Sequence, residues 1–199
     1  MMQPAGVILA GGQSRRMGGG DKGLLDLAGE SLLSRVIARL EPQVAELALN
    51  ANGASSRFEG INLPVIADSI EGFAGPLAGV LAGLDWAAGR GHSHIVTAAA
   101  DTPFFPCDLV PRLLLAARTP IVLAATPDAT RGMVRHPTFG LWPVDLREDL
   151  RDALGSGVRK VVAWTDRHGT SLAEFQVDQF DPFFNVNTPE DMIRAESLL

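Results

Sequence analysis

The sequence predicts an α/β fold: a three-layer, doubly wound, mostly parallel sheet with a Rossmann-like nucleotide-binding half, spanning residues 1–199 as a single domain. Three observations carry that expectation. Short apolar runs alternate with stretches of helical spacing, joined by short connections. The run Ile95-Val96-Thr97-Ala98-Ala99-Ala100 is apolar or small on both faces, as a strand covered by helices on both sides must be. Several of these runs also end in a polar residue, which places chemistry at one edge of the sheet.

The first strand is Val7-Ile8-Leu9, running into Ala10-Gly11-Gly12; Gln13 to Lys22 follows as a polar, glycine-rich loop without helical period. Leu32, Leu33, Val36, Ile37 and Leu40 share one side of a helix, with Arg35 and Arg39 opposite, and Pro42 ends it. Leu47-Ala48-Leu49 leads to Asn50, and Val65-Ile66 leads to Asp68. A helix opens near Pro76, with Leu77, Val80, Leu81 and Leu84 at helical spacing. Ile95 to Ala100, expected at the centre of the sheet, runs into Asp101-Thr102-Pro103. Ile121 to Ala125 and Thr138 to Trp142 add strands, flanked by helices near Asp108 to Ala117 and Leu146 to Leu154. The last helix follows Thr188-Pro189-Glu190-Asp191: Thr188 can cap, Pro189 suits the first helical position, and the acids favour the positive end of the helix dipole.

Composition bounds the function. With 199 residues, of which 46% are hydrophobic, the chain can bury about 70% of its unfolded surface and needs no covalent staple. Cys107 is the single cysteine, so no internal disulfide is available. The net charge of −6 excludes a broad nucleic-acid surface, which needs a basic face to release phosphate counterions. The chain has no apolar run of about 18 residues that would span a membrane as a helix. Met1-Met2-Gln3-Pro4 passes into the first strand without a basic or long apolar leader, so the expected location is the cytoplasm.

The stretch from Leu9 to Lys22 is the most informative. Its glycines let the backbone turn amide N–H groups toward an anion, and Arg16 and Lys22 add fixed positive charge. Gly18, Gly20 and Gly23 match G-x-G-x-x-G formally, but no strand immediately precedes them. Lys22 is followed by Gly23 rather than Ser or Thr, so this is not a Walker A loop either. Asp101, aimed out of the sheet edge, is a hard oxygen ligand suited to Mg²⁺, which binds one or two carboxylates plus substrate phosphates; capping the Pro103 turn is its other reading. Asn50 and Asp68 are candidates to pair with a base or a ribose, because a carboxylate accepts the neighbouring N–H groups of guanine, with turn or cap duty the alternative. Asn185 and Asn187, two apart, face the same way in extended backbone and could grip a phosphate or a pterin edge, or belong to a strand-to-helix junction. His92, His94, His136 and His168 form no metal-ligand pattern, and Trp86, Trp142 and Trp164 read as packing residues.

Taken in order, Leu-Ala-Gly-Gly with Arg-Met-Gly-Gly-x-Asp-Lys-Gly, Asn50-Ala51-Asn52, Asp68-Ser69, Gly75-Pro76-Leu77-Ala78-Gly79, Asp101-Thr102-Pro103, His136-Pro137-Thr138 and Asn185 to Glu190 resemble the molybdenum cofactor guanylyltransferases, over almost the whole chain. That resemblance implies the nucleotide-diphospho-sugar transferase-like fold and Mg²⁺-dependent transfer of GMP from GTP to the molybdopterin cofactor, with release of pyrophosphate. It implies that Leu9, Ala10, Gly11 and Gly12 frame the nucleotide, that Lys22 contacts its phosphates, that Asn50 and Asp68 contact GTP, and that Asp101 holds nucleotide and metal. Asn185 and Asn187 would belong to the molybdopterin side, and Arg16, Gly19 and Gly75 match other functional family positions. Molybdenum-insertion proteins and molybdoenzyme chaperones are the partners it implies. Ala99-Ala100 before Asp101 and the glycine at position 20 depart from the commoner family pattern without removing a functional group. The rival readings are a cytidylyltransferase, whose relatives resemble Leu-Ala-Ala-Gly, a sugar-phosphate nucleotidyltransferase, and a non-catalytic nucleotide sensor.

Overall fold

The computed structural model describes residues 3–11, 21–70, 72 and 75–199. In chain order the elements are β1 (Ala5–Leu9), β2 (Asp26–Leu27), β3 (Glu30–Ser31), α1 (Leu32–Leu40), β4 (Leu47–Asn50), β5 (Val65–Ile66), α2 (Pro76–Gly89), β6 (His94–Ala99), α3 (Leu109–Ala116), β7 (Ile121–Asp128), β8 (Gly132–Pro143), α4 (Arg147–Gly155), α5 (Val161–His168), β9 (Thr170–Glu174) and α6 (Pro189–Glu196).

Seven strands form the main sheet in the order β5-β4-β1-β6-β8-β7-β9, and β2 and β3 pair separately. All neighbours in the main sheet are parallel except β8, which runs antiparallel to both β6 and β7. The exception has a local cause: β7 turns straight back into β8, with the Asp128 carboxylate accepting from the Thr130 and Arg131 amides, and a hairpin can only join antiparallel strands. The register of that pair slips between Leu123 and Ala124, which face Gly140 and His136 respectively. Pro137, with no N–H to give the ladder, lies in the slipped segment.

Side-chain alternation sends neighbouring residues of one strand into opposite layers. Ile8, Leu49, Val96 and Val122 pack with Leu33, Val36 and Leu40 of α1 and with α3. Val7, Ile95, Ile121 and Leu123 pack against α2, α4 and α5 on the other face. The three layers are therefore those expected, and β6 is central as its two apolar faces require. Leu33, Val36 and Leu40 are fully buried, each burial stabilising by about 1.5–3 kcal/mol. Trp142 and Trp164 are fully buried and stacked 6.2 Å apart, with the Trp142 indole N–H donating to the Thr97 hydroxyl, so both are packing residues. A smaller cluster of Leu27, Leu32, Phe104, Val186 and Ala195 docks α6 beside the end of β6. The helix α5 and the strands β2, β3 and β9 lie where the spacing of apolar residues predicts none.

Candidate active site

The carboxyl ends of β1, β4, β5 and β6 lie side by side, and β1 sits where the strand order reverses. Leu9 pairs with Asn50 on one side and with Ala99 on the other. Just beyond the strand, Ala10 N–H donates to the Asn50 carbonyl at 2.9 Å, while Ala100 N–H donates to the Leu9 carbonyl at 3.1 Å. Leu9, Ala10 and Gly11 are thereby fixed between two groups of polar side chains. Gly12, Arg16 and Gly19 lie outside the described residues.

One group surrounds Asp68. The Asn50 amide donates to Asp68 Oδ1 at 3.0 Å and to the Ile66 carbonyl at 3.2 Å. Asn52 closes a two-point ring: its amide donates to Asp68 Oδ2 at 2.7 Å, and its side-chain oxygen accepts from the Asp68 N–H at 2.9 Å. Both carboxylate oxygens are oriented, and each keeps further acceptor capacity. Asn50 is only 2% exposed. Helix α2 presses on it through Gly79: a Cβ there would overlap Asn50 Oδ1 and stand 2.9 Å from Leu9 Cδ2. Gly75 precedes that helix at φ 142°, a backbone conformation open to glycine, and Pro76 takes the first helical position.

The second group surrounds Asp101. Lys22 opens a short 3-10 turn, Lys22–Leu24, whose Gly23 backs onto Leu33 and Ala100; a Cβ on Gly23 would lie 3.4 Å from that of Ala100. A larger residue at position 100 would push the turn away, so the small Ala100 suits the placement of Lys22. The Lys22 ammonium donates to Asn187 Oδ1 at 2.6 Å and lies 3.7 Å from Asp101 Oδ2. Burial pushes the Asp101 carboxyl above its usual range, and the Lys22 charge opposes that only in part. Asn185 accepts from the Thr102 hydroxyl, next to Asp101. Val186 N–H donates to the Asp101 carbonyl at 2.8 Å, and the Val186 side chain is fully buried, which leaves Asn185 and Asn187 on the open side. The segment does not join the sheet. Its far end is held by α6, where Thr188 and Asp191 form a capping box and the Asp191 carboxylate also accepts the Asn187 N–H at 2.9 Å.

The structure thus brings together Leu9, Ala10, Gly11, Lys22, Asn50, Asp68, Gly75, Asp101, Asn185 and Asn187, in two polar groups separated by the end of β1. Two further residues join them that the sequence reading gave no role. Asn52 is one; the Asn50-x-Asn52 spacing puts both amides on one side and was the available signal. Arg57 is the other, and its contact to Asp21 spans 36 positions of sequence, beyond any local pattern. His136, half-buried on β8, is stacked on Phe183 and shares a 2.8 Å hydrogen bond with the Thr126 hydroxyl; burial lowers its pKa.

Residues 6–181 match the model of the MobA-like NTP transferase domain. A molybdenum cofactor guanylyltransferase of Mesorhizobium japonicum is 52% identical over 98% of this chain and 95% of its own, and one of Rhodopseudomonas palustris is 52% identical over 96% and 92%. The chain belongs to the molybdenum cofactor guanylyltransferase family. Among solved structures, molybdopterin-guanine dinucleotide biosynthesis protein A of Archaeoglobus fulgidus superimposes with a TM-score of 0.74, at 24% identity, over 98% of this chain and 97% of that one. A 4-diphosphocytidyl-2C-methyl-D-erythritol synthase of Anaerococcus prevotii shares the fold at 14% identity with the same TM-score, over 99% and 96%. Both solved structures share the fold of this chain, and its match to the NTP transferase domain makes it a nucleotidyltransferase. No helix among the described residues is long and apolar enough to cross a membrane.

Proposed function

We propose that the chain transfers the GMP unit of GTP to the terminal phosphate of the molybdopterin cofactor and releases pyrophosphate. The observation that carries this reading is the pairing of two dissimilar polar groups across the end of β1: an oriented carboxylate at Asp68, and a lysine, carboxylate and amide set at Lys22, Asp101 and Asn187. Asp68 accepts the N–H groups of the guanine edge, held for that task by Asn50 and Asn52. Leu9, Ala10 and Gly11, with Gly12, frame the nucleoside, and Gly75 bounds the site at the start of α2. Lys22, with Arg16 and Gly19 of the glycine-rich loop, holds the phosphates.

The residues fit Mg²⁺ at Asp101. Among the described residues no three carboxylates, histidines or cysteines converge on a metal, so an all-protein cage is not on offer. Mg²⁺ does not need one, because it takes one or two carboxylates and completes its shell with substrate phosphates and water. The raised proton affinity of Asp101 is what a half-buried carboxylate shows when its neighbouring cation is too little to balance it. When bound there, Mg²⁺ supplies Lewis-acid neutralisation of phosphate charge.

An acceptor phosphate oxygen attacks the α-phosphorus in line, the bond to the bridging oxygen of pyrophosphate breaks, and Lys22 stabilises the charge that moves onto the leaving group. Such a transfer calls for positioning and charge balance rather than a protein nucleophile. Asn185 and Asn187 face the acceptor side, and Lys22 bonded to Asn187 joins the two substrates' subsites. Molybdenum-insertion proteins and molybdoenzyme chaperones would supply the acceptor and receive the product in the cytoplasm. Replacing Asp101→Ala removes metal-dependent pyrophosphate release while the thermal unfolding transition persists; a folded variant that turns over normally would refute the assignment.

A further inference from the structure

The Arg57 guanidinium lies between the two ends of the site and touches what holds each of them. Its Nη1 donates to Asp21 Oδ1 at 2.8 Å and Oδ2 at 2.7 Å; Asp21 is 12% exposed and directly precedes Lys22. Its Nη2 donates to the Asn52 carbonyl, and Asn52 orients Asp68 through the two-point ring. Its Nε donates to the Ala54 carbonyl at 3.0 Å, which fixes the plane of the fork. Gly53, at φ 88°, carries the backbone beneath the guanidinium; a Cβ there would lie 3.4 Å from Nη2. Phe58, buried and under the guanidinium carbon at 5.2 Å, anchors the turn Ser55–Phe58 that carries Arg57.

An isolated, partly exposed Arg–Asp pair does little for stability. This one differs in what it spans. Its donors are used in several directions at once, and only a guanidinium offers that fixed fork; a lysine in its place keeps the charge and loses the geometry. A nucleotide lying across β1 needs its base and its phosphates a set distance apart, and the chain offers one covalent route between Asp68 and Lys22, through residues 23–67. Arg57 is the short route.

We propose that Arg57 is a positioning residue for nucleotidyl transfer, tying Asp21, and with it Lys22, to Asn52, and with it Asp68, so that phosphate placement and base reading depend on one another. This rests on the reading of Asp68 as the base contact and Lys22 as the phosphate contact. The loss of Arg57 then acts at both ends: the lysine drifts from the phosphates and the carboxylate loosens from the base.

The test compares wild type, Arg57→Lys, Asp21→Asn, the double variant and Asp68→Asn, each full length, in pyrophosphate release with Mg²⁺ and molybdopterin cofactor, using GTP and, separately, ITP, which lacks the 2-amino group. Arg57→Lys is expected to lose about 10- to 100-fold in kcat/KM for GTP and most of the preference for GTP over ITP, because positioning shells around a site carry effects of that size. Asp21→Asn should do the same, and the double variant should be no worse than the poorer single, as two partners of one link require. Arg57→Lys with wild-type kcat/KM and wild-type preference overturns the inference, as does a loss of melting temperature alone. Asp68→Asn separates the two levels: if it too keeps the preference for GTP, the reading of Asp68 falls and this inference with it, whereas loss in Asp68→Asn but not in Arg57→Lys removes only the role of Arg57.

Discussion

Gly79→Ala sets two well-measured effects against each other. In a helix interior the exchange of Gly for Ala stabilises by about 0.8–1 kcal/mol on propensity alone. Here the added methyl overlaps Asn50 Oδ1 and stands 2.9 Å from Leu9 Cδ2 and 3.1 Å from Asn50 Cγ. Leu9 can yield by a rotamer adjustment. Asn50 cannot yield freely, since it is buried and its amide is bonded to Asp68 and to the Ile66 carbonyl. Overpacking of this kind costs about 1–3 kcal/mol, and one broken hydrogen bond about 1 kcal/mol more. Net destabilisation of about 1–3 kcal/mol follows, a fall of roughly 3–10 °C in Tm for a chain of this size. Gly89→Ala, at the exposed end of the same helix where a Cβ meets nothing within 4 Å, is the control and should be neutral or stabilising by up to about 1 kcal/mol. Urea unfolding of both variants gives the stabilities, and calorimetric titration with GTP reports whether displacing Asn50 weakens the nucleotide site. A Gly79→Ala protein as stable as wild type, with unchanged GTP affinity, would refute the packing of α2 onto Asn50 as the support for Asp68.

Two pH-dependent stabilities follow from the shifted groups. Asp101 has a raised folded-state pKa, so its ionised form costs stability near neutrality and that cost disappears as pH falls below the ordinary carboxylate range; Asp101→Asn should be inactive yet melt higher than wild type at about pH 7, with the difference vanishing near pH 4. His136 has the opposite linkage: its neutral form is favoured by burial, so its contribution is complete above the ordinary histidine value and is lost as pH falls through it. His136→Gln should therefore melt with a flatter dependence on pH between about 7 and 5 than wild type, in scans at matched ionic strength. A Gln variant with the wild-type slope would assign that slope to other groups.

How far the sequence could be read depended on the range of the interaction involved. The helix cap at Thr188, Pro189 and Asp191 is local chemistry, and the structure holds it as a capping box. Asp101 at the end of β6 was legible because the strand before it is apolar on both faces and the residue after it is polar. The antiparallel direction of β8 was not, since strand direction follows from the β7–β8 hairpin and apolar spacing carries no direction. Helix α5 escaped because Val161-Val162-Ala163-Trp164-Thr165 reads as well as a strand, and β9 because an edge strand of Thr, Ser, Leu, Ala and Glu has little apolar signal. In the site, residue types were readable but pairings were not: Lys22 to Asn187 spans 165 positions, and nothing in the local pattern of either names the other.

Pyrophosphate release with Mg²⁺ and freshly released molybdopterin cofactor, measured in parallel with GTP, CTP, ATP and UTP, tests the central claim most directly. The site described here predicts release with GTP, dependent on the acceptor and far above that with the other three nucleotides. Release with CTP instead, or tight GTP binding without release, would contradict it.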